Sequence, residues 1–253
     1  MSLTRQHALP DVLVRFWSLD HHRAEEIFWP ASPWAKLVFA ARGTVRVETA
    51  NRMHVLPCNR ALVVPVDAAH PARTLGPAEV RTLYFASPFR LDRSLSILTV
   101  RPLLRELTRE TCTVGPLVRG NPHHEALAHL LEFEINSAGE LPTSIPTPSS
   151  PWLKKWVEAF FADPTLRPES GFSRRTLERH FIAETGLTLG QWCQQARGLL
   201  GLQALSGGST VQEAALTAGF ETTSGFIQSF RRQFGTTPGK AFVEMKPEDS
   251  AYQ

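Results

Sequence analysis

Two adjoining stretches, Thr210-Val-Gln-Glu-Ala-Ala-Leu-Thr-Ala-Gly-Phe220 and Glu221-Thr-Thr-Ser-Gly-Phe-Ile-Gln-Ser-Phe-Arg-Arg-Gln-Phe-Gly235, decide the fold of the second half of the chain. A hydroxyl at Thr210 with Glu213 three residues later makes a capping box, and Gly219 supplies a helix stop. A second helix is expected from about Thr222. It buries Phe226, Phe230 and Phe234 on one face and turns Thr223, Ser224, Gln228, Arg231 and Arg232 elsewhere. A short helix, a glycine-containing turn and a longer helix form a helix-turn-helix pattern. In such a unit the early exposed residues of the second helix reach base edges in the major groove, and nearby basic residues meet phosphates.

The unit occurs twice. Leu177, Phe181, Gly186 and Thr188 return 49 residues later as Phe226, Phe230, Gly235 and Thr237. In the first copy Arg174, Arg175, Thr176, Glu178, Arg179 and His180 lie between the core positions. A basic run alone is usually a solvated helix face; its recurrence at the place where the groove would lie turns the reading toward DNA. Trp192 to Leu205 is expected as a helix about 20 Å long, a rod able to hold two readers in successive grooves.

Upstream, Asn136 to Pro151 is rich in Ser, Thr and Pro, and its prolines prevent a continuous helix, so an exposed linker is expected there. Short apolar runs at Val12–Trp17, Leu37–Ala41, Val45–Thr49, Ala61–Val66 and Val80–Phe85, separated by turn formers, predict strands of a sandwich or small barrel. From Arg101 the period changes: Leu103, Leu104 and Leu107, then Leu127, Leu130, Leu131 and Ile135, predict amphipathic helices. The second of these buries its apolar face within the domain or against a second subunit. The expected class is α+β: an N-terminal strand-rich domain over residues 1–136, a linker over 137–151 and an all-α domain over 152–253.

With 253 residues, 42% hydrophobic and 20% charged, the chain has room for two cores and is neither disordered nor fibrous. A net charge of +3 is too small to separate a nucleic-acid binder from a basic enzyme. Cys58, Cys112 and Cys193 stand far apart, outside any C-x-x-C spacing, so neither a disulfide framework nor a cysteine zinc site is expected. With no secretory or membrane-spanning pattern, the expected compartment is the cytoplasm.

The C-terminal hundred residues resemble the AraC/XylS family of transcription activators and repressors. The matching residues are Gly171-Phe-Ser-Arg-Arg-Thr-Leu-Glu-Arg-His-Phe181, Glu184-Thr-Gly-Leu-Thr188, Arg197, Ala214-Ala215, Gly219-Phe220, Phe226, Phe230-Arg-Arg-Gln-Phe-Gly235 and Thr237-Pro238. The resemblance implies two reading helices on one face of duplex DNA. It places base readers at Arg175, Glu178 and Arg179 in the first unit and at Thr223, Ser224 and Gln228 in the second. It also implies a structural role for Arg197 as a brace between the two subdomains, a small-molecule effector for the N-terminal domain, pairing with a second copy and, for an activator, RNA polymerase as a partner. One departure is visible: Thr165-Leu-Arg-Pro-Glu-Ser-Gly-Phe172 is about five residues too short for the family's first positioning helix, and Pro168 limits it further. A shortened first unit would leave the second to supply much of the sequence reading.

The strand-rich half, with Gly43 in a turn and Pro65-Val-Asp-Ala-Ala-His70 after a buried strand, is similar to cupin-type sensor domains. Cupins hold metals on clustered histidines, which draws attention to His21, His22, His54 and His70. The H-x-H position is taken by Pro30-Ala31-Ser32-Pro33, so no metal or other cofactor is assigned. Trp17 and Trp34 are read as core or interface, or as pocket walls. Two other functions fit parts of the sequence: a metal-dependent cupin enzyme, disfavoured by the missing H-x-H and the lack of any nucleophile, base and orienter grouping, and a regulator that acts through a partner protein.

Overall fold

Strands form in the N-terminal half wherever an apolar run finds cover. The computed structural model describes residues 11–245 except 50, 59, 69, 88, 90, 92, 141–142 and 166–172. The larger antiparallel sheet runs in spatial order β10 (Leu117–Val118), β1 (Val12–His21), β8 (Ala78–Phe85), β3 (Ala35–Arg42), β6 (Arg60–Val64) and β9 (Ser96–Thr99). The smaller runs β11 (Ser144–Pro146), β5 (Arg52–Pro57), β4 (Thr44–Glu48), β7 (His70–Thr74) and β2 (Glu26–Trp29). The two stack as a sandwich around Val38, Val45, Val47, Leu56, Leu62 and Val80. The other face of the larger sheet is covered as well: Leu37, Phe39, Ala61 and Val63 pack with Leu104, Leu107, Leu127 and Leu131 of α1 (Pro102–Val114) and α2 (Pro122–Ser137). Burial on both faces is why Leu37–Ala41 of β3 and Ala61–Val64 of β6 are apolar runs rather than alternating ones.

Several strands differ from the sequence expectation. β1 continues four residues past Trp17, because its ladder with β8 persists from Ser18 opposite Arg81 to His21 opposite Ala78. β7, His70-Pro-Ala-Arg-Thr74, has no apolar alternation; its partners on either side define it. Pro71 is tolerated there because it lies just beyond Ala72, the last β7 residue paired with β4. Gly43, where β3 leaves one sheet and β4 enters the other, has φ +78°, and a Cβ there would stand 2.4 Å from the Pro77 carbonyl oxygen. Only glycine satisfies both constraints.

The segment expected as an exposed linker is a structural element instead. Ser144–Pro146 adds β11 to the edge of the smaller sheet, with Thr143 and Ile145 buried. Proline excludes a helix but is accepted on an edge strand, so the composition was compatible with either outcome. Asn136 and Ser137 still belong to α2.

The C-terminal half consists of α3 (Pro151–Ala162), α4 (Arg174–Thr185), α5 (Leu189–Ser206), α6 (Val211–Thr217), α7 (Thr223–Phe234) and α8 (Pro238–Met245). α5 has 18 residues and is therefore about 27 Å long, extending the expected rod at both ends. Its first part joins Trp156, Phe160 and Phe181 around Trp192, with ring centroids 5.5–6.0 Å from that indole. Its last part, Leu202 and Leu205, packs with Ala214, Ala215, Phe226 and Phe230. The smaller sheet also reaches this helix layer. Met53, Val55 and Ile145 join the cluster around Trp192, whose Nε1 donates to the Pro146 carbonyl oxygen at 2.8 Å.

Two α5 glycines permit the closest contacts: a Cβ on Gly198 would meet the Gln233 amide, and one on Gly201 would lie 2.3 Å from Cε2 of the fully buried Phe226. Gly201→Val is expected to destabilise the protein by about 1–3 kcal/mol, since a larger side chain in a filled core forces rotamer and backbone shifts. Urea unfolding measures this, and an unchanged midpoint would mean that the Phe226 ring moves aside without cost.

Candidate nucleic-acid interface

The sequence repeat is a repeat of geometry. Leu177 and Phe226 are fully buried, as are Phe181 and Phe230. Ser173 caps α4 by accepting from Thr176 N–H at 3.2 Å, and Thr222 caps α7 by accepting from Gly225 N–H at 3.1 Å. Both helices have 12 residues and end at a left-handed glycine, Gly186 (φ 73°) and Gly235 (φ 72°), whose N–H groups bond to Ile182 and Arg231 carbonyls at 2.9 Å. Thr188 then caps α5 in a capping box with Gln191, and Thr237 accepts from Lys240 N–H at 3.4 Å in the first turn of α8.

The second unit is complete. Thr210 and Glu213 form the capping box at the start of α6, and the chain turns at Gly219, φ +75°. A Cβ on Gly219 would also approach Pro164, the residue that follows α3 by two, to 3.1 Å. On α7, Ser224, Gln228, Arg231 and Arg232 are exposed and Thr223 is half-buried. Ser224, Gln228, Arg231 and Arg232 follow the spacing of one helix face. On α4, Arg174, Arg175 and Arg179 are exposed, and Glu178 is half-buried. Arg175, Glu178 and Arg179 share a stripe, and Arg174 Nε pairs with Glu178 Oε1 at 3.1 Å. An exposed pair of this kind is worth about 0.5 kcal/mol or less, too little to keep Arg174 from a phosphate.

The expected deficiency of the first positioning helix falls on residues 166–172, outside the described residues. On its flank, Arg197 Nη2 donates to the Pro164 carbonyl oxygen at 2.9 Å with its guanidinium 5.8 Å from the Phe160 ring centre. This arginine ties α5 to the chain leaving α3.

Sequence reasoning attached no role to Glu184, near the end of α4. Its carboxylate accepts from the Ser149 and Ser150 N–H groups at 2.8 and 2.9 Å and from both hydroxyls at 3.1 and 2.6 Å. It therefore caps the start of α3 from another helix, where Ser150 makes no side-chain cap of its own. The Ser-Ser-Pro entry to a helix was the visible signal, but it did not reveal a partner 34 residues away. Burial works to raise the Glu184 carboxyl, but the bonds from Ser150 and Ser149 outweigh it and hold the group below the usual carboxylate range.

The candidate metal ligands His21, His22 and His54 do not form a described metal cluster. His54 is buried on β5 of the smaller sheet, and burial, with Arg52 adding to it, pushes it down to about 4, so it is neutral. His21 ends β1 of the larger sheet with Nδ1 at 3.0 Å from Glu25 Oε2, His22 is exposed, and His70 opens β7. Among the described residues no three His, Cys, Asp or Glu side chains stand together as a metal site. Cys58, Cys112 and Cys193 form no disulfide, and burial pushes all three thiols up, Cys193 to about 11. Trp17 lies exposed on β1 and Trp34 is buried beneath Arg15, 4.6 Å from its guanidinium carbon. On α2, Leu127, Leu131 and Ile135 face the sheet, whereas Leu130 and Phe133 point to solvent. No described helix is long and apolar enough to cross a membrane.

Residues 169–242 match the family described as a helix-turn-helix domain. It is 29% identical over 235 residues to the HTH-type transcriptional regulator NimR of Escherichia coli, covering 89% of this chain and 86% of that one. It is 27% identical over 166 residues to the virulence regulon transcriptional activator VirF of Yersinia enterocolitica, 59% of each. Among solved structures, ToxT of Vibrio cholerae aligns over 93% of this chain and 98% of its own at 11% identity and TM-score 0.38.

A carboxylate whose folded pKa is depressed contributes stability above its unfolded pKa, about 4.3, and loses it as pH falls through the folded value. Wild-type protein is therefore expected to be more stable than Glu184→Gln near neutrality, with the difference closing on acidification. Chemical unfolding of both proteins from about pH 7 to about pH 3 measures it. A difference that widened toward acid would contradict the cap.

Proposed function

We propose that the protein is a sequence-specific, duplex-DNA-binding transcription regulator that reads DNA with α4 and α7 and senses a small molecule through its N-terminal sandwich. The observation that carries this is the duplicated reading helix: two helices of equal length and like capping, packed on one α5, each turning a polar and basic stripe outward. The α5 length of about 27 Å is close to the one-turn spacing of about 34 Å between successive major grooves. Arg175 and Arg179 suit guanine edges, Gln228 suits adenine, and Glu178 suits the cytosine amino group. Arg174, Arg231 and Arg232 supply phosphate contacts, while Thr223 and Ser224 sit at the capped start of α7, where side chains enter a groove first. The protein acts in the cytoplasm as a regulator rather than an enzyme. Pairing of two copies through the outward residues of α2 would double the half-sites, and RNA polymerase is the further partner if it activates.

Selection of genomic fragments by the purified protein, read by sequencing, tests the proposal. A discrete motif is expected, and replacing Thr223, Ser224 and Gln228 together by alanine is expected to abolish it. Arg175→Ala should cost about 1–3 kcal/mol and relax one base position. Arg231→Ala should weaken all sequences alike and lower the salt slope by about 1. Binding that is weak and blind to sequence would overturn DNA reading by this chain alone and favour action through a partner protein.

A further inference from the structure

Where the edge of the smaller sheet meets the helical layer there is a recess of about 820 Å3, lined by Arg52 and Ser144 from the sandwich, Gln191 and Gln194 from α5 and Arg232 from α7. It lies between the two helix-turn-helix units. Gln191 and Gln194 stand in the first turns of α5, which follows α4 closely, and Arg232 stands in the last turn of α7. Arg232 also continues the outward stripe of Ser224 and Gln228, each four residues further along, so the recess borders the face that carries the reading residues. No Asp or Glu is among its described lining residues. A recess furnished with two arginines and carboxamides is suited to an anion.

Arg52 is held in place from both its backbone and its side chain. Register seats it opposite Pro146 of β11, the residue whose carbonyl oxygen accepts from Trp192, so one strand pair separates it from α5. Its Nε and Nη2 donate to Ser144 Oγ at 3.1 and 2.9 Å, and Nη1 meets no described acceptor. A guanidinium braced in this way loses little freedom when a further acceptor arrives. Arg232 is exposed and has neither a hydrogen bond nor an ion pair among the described residues. On the helical side, Gln194 Nε2 donates to Ser229 Oγ at 3.4 Å and Gln233 Nε2 to the Gln195 carbonyl oxygen at 3.1 Å, which ties α7 to α5 beside the recess. Duplex geometry supplies the anion. Two helices in successive major grooves on one face of DNA leave between them the minor groove, about 6 Å wide and walled by phosphates on both sides.

We propose that the sandwich itself touches DNA: Arg52 takes a backbone phosphate at the minor groove between the two major grooves, with Arg232 and the Gln191 and Gln194 amides beside it. The proposal rests on the reading of DNA by α4 and α7 given above and adds to it a phosphate contact from outside the helix-turn-helix half. Whatever displaces β5 then displaces a DNA contact. The test titrates the full-length protein and its Arg52→Gln, Arg52→Lys and Arg73→Gln variants onto a selected fragment and onto an unrelated duplex, from about 50 to about 200 mM salt. Arg52→Gln is expected to weaken both duplexes and to lower the salt slope by about 1, its deficit shrinking about 3.5-fold over that range. Arg52→Lys keeps the charge and is expected to keep the slope. Arg73→Gln, at an exposed arginine two strands away in the same sheet, is expected to change neither. Hydroxyl-radical footprinting is expected to show backbone protection midway between the base-reading positions, lost in Arg52→Gln. An unchanged slope in Arg52→Gln, or equal losses in the Gln and Lys variants as from a merely structural arginine, overturns the proposal. Should Arg52→Gln fail to fold, a wild-type footprint without the central protection still overturns it. Binding of pyrophosphate that depends on Arg52 while the DNA slope does not would assign the recess to a free anion and overturn the DNA contact. Sequence-blind binding that keeps its Arg52 dependence would sink base reading by α4 and α7 while leaving the phosphate contact standing.

Discussion

The packing of α5 is the constraint on which the C-terminal half depends. Leu189, Trp192, Ala196, Leu199, Leu202 and Leu205 leave it no apolar stripe to turn outward, and a helix apolar around much of its circumference has to be buried. Here the cover comes from several directions: the aromatic cluster of α3 and α4 at one end, the phenylalanines of α7 at the other, and β5 and β11 of the smaller sheet. Neither α4 nor α7 owns a separate core. Each derives its orientation from a shared rod, and Gly201 lets the buried Phe226 ring of α7 lie where a Cβ would stand, while Gly198 leaves room for the Gln233 amide.

Local chemistry was legible in the sequence, and partnership was not. The second helix-turn-helix unit could be read because capping boxes, helix stops and aromatic spacing act within a dozen residues, as at Thr210, Glu213 and Gly219. The repeat extended that reading to α4, whose Ser173 cap and Gly186 stop lie where the Thr222 cap and Gly235 stop predict. In the other half, β3 and β6 announced themselves because burial on both faces writes an unbroken apolar run. β7 and the last four residues of β1 did not, since a polar strand is made by the ladder of its neighbour and carries no mark of its own.

The candidate sites divide along the same line. The outward residues of α7 were legible from helical period and those of α4 from the repeat. The role of Glu184 was not, because its partners lie 34–35 residues upstream. The recess shared by Arg52 and Arg232 was also invisible: it exists only once β5 and α7 lie against α5, and Arg52 in sequence merely opens an apolar stretch. Trp34 was weighed as pocket or core; it serves as the platform beneath Arg15.

The β11 strand gives the chain an unusual seam. Residues 143–150 pass from the smaller sheet to the carboxylate of Glu184 with Ile145 buried, Pro146 accepting from Trp192, and both serines held. There is accordingly no slack where composition would invite a cut. A fragment begun at Trp152, the natural choice from the proline pattern, would strip Trp192 of its acceptor, α3 of its borrowed cap and the aromatic cluster of its cover. The helical half is better regarded as beginning at Thr143, so that the last strand of one half is the first structural element of the other.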